Sequence, residues 1–257
     1  MRVISWNVNS LRAREPLLEK LVLTEKPDIL CLQELKILDK DYVESFFKKF
    51  SLKTLSETQK SYNGVSISCK EDINLKEIPL KKLNLIQARN NTIILEDLKL
   101  VIINCYFPNG NPIDTEKFDY KINWMKKFNK YILYLRKLMT PIIIGGDFNV
   151  IPSDADVYSP ENYKNDACAH PKTREQFRIL INMGFTDLVK YFLDGNTNWT
   201  FWGYRGGGWQ KGNGLRIDHF LASPEVTDLI KNVKINREPR GWDKASDHTP
   251  VTIEVNN

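Results

Sequence analysis

At 257 residues the chain could hold one large or two small domains, but no Ser/Gly/Pro-rich linker divides it, so one domain over residues 1–257 is expected. Hydrophobic residues at 42%, with 11% aromatics, supply a sizeable core and exclude a disordered chain. There is no apolar run of about 18 residues and no signal-type stretch after Met1, which predicts a protein without membrane contact that stays where it is made, while a net charge of +5 mildly favours an anionic partner.

Apolar strand-like runs alternate with amphipathic helical ones. In chain order the pattern predicts a strand from Arg2 to Trp6, a helix from Arg14 to Leu23, a strand from Ile29 to Gln33 and a helix from Asp41 to Phe50. Strands follow from Gly64 to Cys69, Thr92 to Leu95 and Leu100 to Tyr106, several apolar on both faces as sandwiched strands are. The longest helix is expected to start at Asp114 as N-cap and to carry Phe118, Ile122, Met125, Ile132, Leu135 and Met139 on one face. Its lysines, Lys117, Lys121, Lys126, Lys127, Lys130 and Lys137, read as a solvated face. A strand from Ile142 to Gly146, a helix from Lys172 to Met183 and strands from Arg216 to Ala222 and Pro250 to Val255 complete the pattern. Cys31, Cys69, Cys105 and Cys168 form no C-x-x-C pair and read as buried reduced thiols, so zinc is not expected.

Short polar motifs close many of the apolar runs: Trp6-Asn7-Val8-Asn9, Gln33-Glu34, Asn104-Cys105-Tyr106-Phe107-Pro108-Asn109, Gly146-Asp147-Phe148-Asn149, Leu215-Arg216-Ile217-Asp218-His219 and Ser246-Asp247-His248. An unpaired buried charge costs several kcal/mol, so carboxylates at the ends of buried strands imply convergence on one wet, metal-dependent site. Glu34 beside Asn7 offers the hard oxygen ligands that Mg²⁺ prefers. Gly145-Gly146-Asp147-Phe148-Asn149 sets an acid and an amide two residues apart after a sharp turn. Asp247 adjoins His248, one of three histidines, and Asp218 is available to orient its ring. From Trp199 to Arg216 the chain concentrates six glycines, three tryptophans and three basic residues with no acid, which suits phosphate contacts and stacking on or between bases.

Taken together, Trp-Asn-Val-Asn-x-Leu-Arg, Gln-Glu-x-Lys, Asn-x-Tyr-x-Pro-Asn-Gly, Gly-Asp-Phe-Asn, Gly-Leu-Arg-Ile-Asp-His and Ser-Asp-His-Thr-Pro resemble the exonuclease III family of abasic-site endonucleases, within the endonuclease/exonuclease/phosphatase superfamily. The resemblance covers nearly the whole chain in order. It implies a DNase I-like four-layer α/β sandwich: two packed mixed β-sheets flanked by helices. It implies Glu34 as principal Mg²⁺ ligand with Asn7 beside it and Asp247 completing or supporting the site, Mn²⁺ being a possible substitute. Asp147 then activates the attacking water or protonates the leaving oxygen, and Asn149 holds that water or a phosphate oxygen. His248, oriented by Asp218, donates to the phosphoryl oxygens, which Tyr106 and Asn109 grip. Phe201, Leu215 and Ile217 match positions lining a small pocket for a baseless sugar, and Arg205, Trp209 and Lys211 are expected to touch the duplex. Leu215 is aliphatic where some members carry Trp, which implies a looser pocket. Ser10 stands where Gly is usual.

The function so implied is cleavage 5′ of abasic sites in double-stranded DNA, with 3′→5′ exonuclease and 3′-phosphatase or phosphodiesterase activity on blocked 3′ ends. A monomer is expected, cytoplasmic in a bacterium and nuclear in a eukaryote. A phosphodiesterase acting on RNA or a phosphorylated small molecule is the first alternative, and the aromatic, cationic stretch from Trp199 to Arg216 speaks against a small substrate. A catalytically inactive DNA-binding module is disfavoured because all the acids remain.

Overall fold

The computed structural model describes residues 1–78, 87–195 and 197–256. In chain order the elements are β1 (Arg2–Asn7), α1 (Leu11–Glu25), β2 (Ile29–Gln33), α2 (Lys40–Lys48), β3 (Leu52–Glu57), β4 (Val65–Lys70), β5 (Leu75–Glu77), β6 (Asn90–Leu95) and β7 (Leu100–Tyr106). There follow α3 (Glu116–Lys137), β8 (Ile142–Asp147), α4 (Pro171–Asn182), β9 (Thr186–Asp187), α5 (Leu188–Phe192), α6 (Gly208–Lys211), β10 (Asp218–Ala222), α7 (Pro224–Thr227), β11 (Ile230–Ile235) and β12 (Val251–Val255).

The strands form two six-stranded mixed sheets, ordered β11-β12-β1-β2-β4-β3 and β5-β6-β7-β8-β10-β9. The central pairs β1–β2 and β7–β8 are parallel and the other pairings antiparallel. Alternation along each strand explains the layering. In β1, Val3 turns toward the other sheet and packs with Cys31, Ile102, Ile143, Phe220 and Ile253. Its neighbours Ile4 and Trp6 turn the other way, onto Leu18 and Leu21 of α1 and Phe47 of α2. The outer face of the second sheet buries Val101, Ile103 and Ile144 against Trp124 and Phe128 of α3 and Phe177 of α4. The result is the expected order of helix, sheet, sheet, helix, with both faces of the inner strands apolar.

Every predicted strand and helix is present, with small shifts at the ends. The unpredicted strands β3, β5, β9 and β11 all lie at sheet edges. An edge strand has one hydrogen-bonded neighbour and much exposed surface; β11, for example, buries only Ile230 and Val233, so it lacks the apolar signature. Three details of the long helix also differ from expectation. The N-cap is Thr115, extended at φ −132° and ψ 166°, because Asp114 turns left-handed at φ 60°. Met139 lies beyond the helix end and is exposed. Lys121 is wholly buried rather than on the solvated face.

Ser10, just before α1, holds φ 96° and ψ 113°, while its N–H donates to the Glu34 carbonyl at 2.8 Å. A non-glycine residue in such a region stores about 1–3 kcal/mol of strain, partly offset by the extra freedom glycine gives the unfolded chain. Ser10→Gly is therefore expected to stabilise the protein by about 1 kcal/mol, read as a higher urea midpoint at unchanged slope. A midpoint below wild type would mean that the serine conformation carries no strain.

Candidate active site

Strand pairing brings the polar motifs together. Asn7 lies opposite Gln33, so Asn7 and Glu34 leave adjacent strands of the first sheet. In the second sheet Tyr106 pairs with Asp147, and Asp147 with Asp218, setting three polar residues abreast. The close approach needs glycine: Gly146 has φ 145°, and a Cβ there would stand 1.9 Å from the Cys105 carbonyl oxygen.

Asp147 is the hub. It is 1% exposed; Oδ2 accepts from Asn7 Nδ2 at 2.9 Å and Asn149 Nδ2 at 3.2 Å, and Oδ1 accepts from the Asn149 backbone N–H at 2.8 Å. The Asn7 amide also donates to Glu34 Oε1 at 2.9 Å, bridging carboxylates from the two sheets. His248 Nδ1 lies 2.9 Å from Asp218 Oδ2, which leaves Nε2 facing Asp147 Oδ2 at 3.8 Å.

The electrostatics follow from this crowding. Burial pushes the Asp147 carboxyl pKa up, His248 opposes the rise, and Asp218 and Glu34 add to it, so the net shift is upward. Burial disfavours a charged His248 ring, but Asp218 and Asp147 outweigh it and raise its pKa, keeping both ring nitrogens protonated at neutral pH. Burial also works against the Glu34 carboxylate. Lys36, at 2.8 Å, and the Asn7 amide prevail and hold its pKa below the ordinary value. Burial, then Glu34 and Asp147, push the Tyr106 phenol well above its usual range, so it stays neutral.

Carboxylate oxygens of Glu34 and Asp147 and a ring nitrogen of His248 all lie within 4.8 Å of one another, and with the ring protonated only the carboxylates offer ligand atoms. Crowded carboxylates of this kind suit a hard cation. Asp247 stands outside that trio: its Oδ1 accepts from Asn9 Nδ2 at 3.0 Å, and Lys36 reaches both Asn9 Oδ1 and Glu34. Asn9 and Lys36 are site residues that sequence reasoning left without a role, although both lie inside quoted motifs. Asn109 Nδ2 donates to Asn149 Oδ1 at 3.1 Å, joining two of the expected phosphate-gripping residues. A groove of about 630 Å³ opens from Glu34, Tyr106 and Asn109, with Lys36, Arg89 and Lys117 on its walls. Arg89 stacks over the Tyr106 ring at 4.8 Å.

Phe201, Leu215 and Ile217 come together as expected, in an apolar cluster with Ile151, Val157 and Cys168. The Phe201 ring lies 4.9 Å from that of His248, which sets this cluster beside the carboxylates. The glycine-rich stretch is more ordered than its composition suggests. Trp199 and Trp202 are buried, and residues 205–211 form two short helical turns. Arg205 and Lys211 are exposed there, while Trp209 packs edge-on against Trp202 at 4.8 Å and beside Arg240. Arg216, counted among the basic residues of that stretch, is 2% exposed in its side chain and is held by Asp156 and Asp187 at 2.7 Å each, so it anchors β10 instead of facing a phosphate. The Tyr204 hydroxyl, unremarked in the sequence, accepts from Arg14 at 2.6 Å and donates to the Ala245 carbonyl at 2.9 Å, tying this stretch to α1.

Comparison with known proteins shows the family and fold. Residues 4–248 match the endonuclease/exonuclease/phosphatase family. The chain is 30% identical to exodeoxyribonuclease III of Haemophilus influenzae over 99% of both chains, and 31% identical to a DNA-(apurinic or apyrimidinic site) endonuclease of Dictyostelium discoideum over 99% of this chain and 70% of that one. The fold superposes with a TM-score of 0.92 on the 3′ phosphatase NExo from Neisseria, solved with a product DNA hairpin, at 32% identity over the whole of both chains. The chain belongs to the endonuclease/exonuclease/phosphatase family, with a DNase I-like architecture. Among the described residues no helix is long and apolar enough to cross a membrane.

Because Asp218 is the largest influence raising the His248 pKa, Asp218→Asn is expected to lower that pKa by about one pH unit or more. The wild-type pair stabilises the fold fully below about pH 6.5 and loses that contribution as pH rises through the folded pKa of His248. NMR titration of the His248 ring checks the shift, and an unchanged midpoint would contradict the assigned pairing.

Proposed function

We propose that this chain is a DNA repair nuclease that hydrolyses the phosphodiester 5′ of an abasic site in duplex DNA and also trims or dephosphorylates blocked 3′ ends. The observation that carries the reading is the union of two features: a buried Asp147 facing the Asp218-paired His248 at 3.8 Å, and the apolar Phe201, Leu215 and Ile217 cluster in ring contact with that histidine. The first suits attack on a phosphate and the second suits a sugar without its base.

Glu34, with Asn7 beside it, would hold Mg²⁺ or Mn²⁺, and Asp247 supports the site through Asn9 and Lys36. A bound divalent cation supplies positive charge to the phosphoryl and leaving oxygens. Asp147, its pKa raised by burial, takes a proton from the attacking water as the new O–P bond forms and the bond from phosphorus to the 3′ oxygen breaks, the departing 3′ alkoxide taking a proton from solvent to become the 3′ hydroxyl. Asn149, fixed by its bonds to Asp147 and the Phe107 carbonyl, orients that water or a phosphate oxygen. His248 as imidazolium donates to the phosphoryl oxygens while Asp218 holds its ring, and Tyr106 and Asn109 grip the same group. Rate comes from fixed donors and charge around phosphorus, since a phosphodiester offers the protein little covalent chemistry. Selection comes from size: a flipped-out bare deoxyribose fits beside Phe201, whereas a normal nucleotide clashes or must first unstack. Arg205, Trp209 and Lys211 meet the duplex around the site.

Glu34→Gln is expected to weaken Mg²⁺ binding and reduce nicking of an abasic-site duplex by orders of magnitude, with partial rescue at raised Mg²⁺. Wild-type cleavage at low Mg²⁺ would remove Glu34 from the metal site.

The pocket and the exposed basic turns should fail differently when altered. Lys211→Ala or Arg205→Ala is expected to weaken binding to all duplexes and flatten its salt dependence, leaving specificity intact. Phe201→Ala is expected to cut the preference for abasic over intact DNA roughly tenfold or more. Kinetics on paired duplexes at two salt concentrations separate these effects, and an unchanged abasic preference in Phe201→Ala would place the pocket elsewhere.

A further inference from the structure

Lys121 of α3 is the most anomalous side chain outside the steps just described. It is 0% exposed, yet its ammonium meets backbone carbonyls: Nζ donates to Asn109 O at 3.0 Å and to Asn149 O at 2.6 Å. Taking an ammonium out of water costs several kcal/mol, and the usual compensation is a paired carboxylate. Burial accordingly pulls its pKa down, with Cys168, Asp166 and Asp147 opposing the shift. Packing alone would be served by methionine, which has a similar stem and no charge. The surrounding chain is also shaped around the lysine. Gly110, at φ 84°, passes so close that a Cβ would stand 2.5 Å from Lys121 Cδ.

The two carbonyls belong to a significant pair. The side chains of Asn109 and Asn149 are themselves joined at 3.1 Å and come from loops after different strands, β7 and β8. We propose that Lys121 is a positioning residue: by clamping the backbones of Asn109 and Asn149 from behind, it sets the spacing of the amide pair that grips the phosphoryl group. This inference rests on the proposed reading of Asn109 and Asn149 as phosphate-gripping residues. A preorganised donor pair acts on the charge that develops in the transition state, so its loss should fall on turnover more than on substrate binding.

The test is cleavage of an abasic-site duplex with Mg²⁺ by wild type, Lys121→Met, Asn149→Ala and the double variant, with thermal unfolding and duplex affinity measured alongside. Lys121→Met is expected to lower the cleavage rate constant roughly tenfold or more and to change duplex affinity by about threefold at most. In the Asn149→Ala background it should cost about threefold or less, because the two changes disable the same unit. A folded Lys121→Met with wild-type rate, or losses that multiply in the double variant, would overturn the proposal. Should Lys121→Met fail to fold, Gly110→Ala displaces the lysine without removing its charge and should show the same loss of rate at nearly constant affinity; wild-type rate there would equally overturn it. If wild-type protein left abasic DNA intact, the functional reading would fall, and the same comparison with bis(p-nitrophenyl) phosphate would still decide the role of Lys121.

Discussion

Mutual repulsion among Glu34, Asp147 and Asp218 where the two sheets meet is the constraint around which the rest of the structure is arranged. Two like charges about 4 Å apart repel by about 4 kcal/mol at an effective dielectric constant near 20. The fold holds these acids together with donors placed against each one. Asn7 spans Glu34 and Asp147, the Asn149 backbone and amide meet Asp147, Lys36 meets Glu34, and His248 lies between Asp218 and Asp147. Burial, with Asp218 and Glu34 adding to it, raises the pKa of Asp147, and the acids around His248 raise that of the ring against its burial. A site in that state favours a cation, and with a cation present it can accept a phosphate.

The four-layer sandwich supplies the rigidity that such crowding requires. Its central strands are buried on both faces, so the polar side chains at their ends cannot relax by moving the backbone. Around the charged centre the chain divides its work by chemistry. An apolar cluster adjoins His248, a groove with cationic walls opens from Glu34 and Tyr106, and exposed basic residues stand on two short turns whose base is fixed by buried Trp202 and by Arg240.

Much of this was legible in the sequence, because the inner strands announce themselves as apolar runs and the site residues stand where those runs stop. Glu34, Asp147, Asp218 and His248 could be named that way, and the geometry brings them together. What escaped detection did so for physical reasons. The edge strands β3, β5, β9 and β11 bury too little surface to leave an apolar pattern. Lys121 looked like a solvent-facing cation and Arg216 like a phosphate contact, because composition cannot distinguish a lysine on a wet helix face from one turned inward to two carbonyls. Arg216 is buried only because Asp156 and Asp187 approach it from distant parts of the chain. Lys36 and Asn9 lay inside recognised motifs, but their hydrogen bonds depend on the left-handed turns at Asn9, Glu34 and Lys36.

In the function we propose, crowded carboxylates, a paired imidazolium and an adjacent apolar cluster make this chain a metal-dependent nuclease for baseless DNA. The most direct measurement incubates the wild-type protein with a duplex carrying one central abasic analogue, with Mg²⁺ or with EDTA, and reads the length and end chemistry of the products. The account predicts a single incision immediately 5′ of the lesion, leaving a 3′ hydroxyl on the upstream fragment, and only with Mg²⁺ present. Intact duplex in Mg²⁺, equal cleavage in EDTA, or an upstream fragment ending in 3′ phosphate would contradict it.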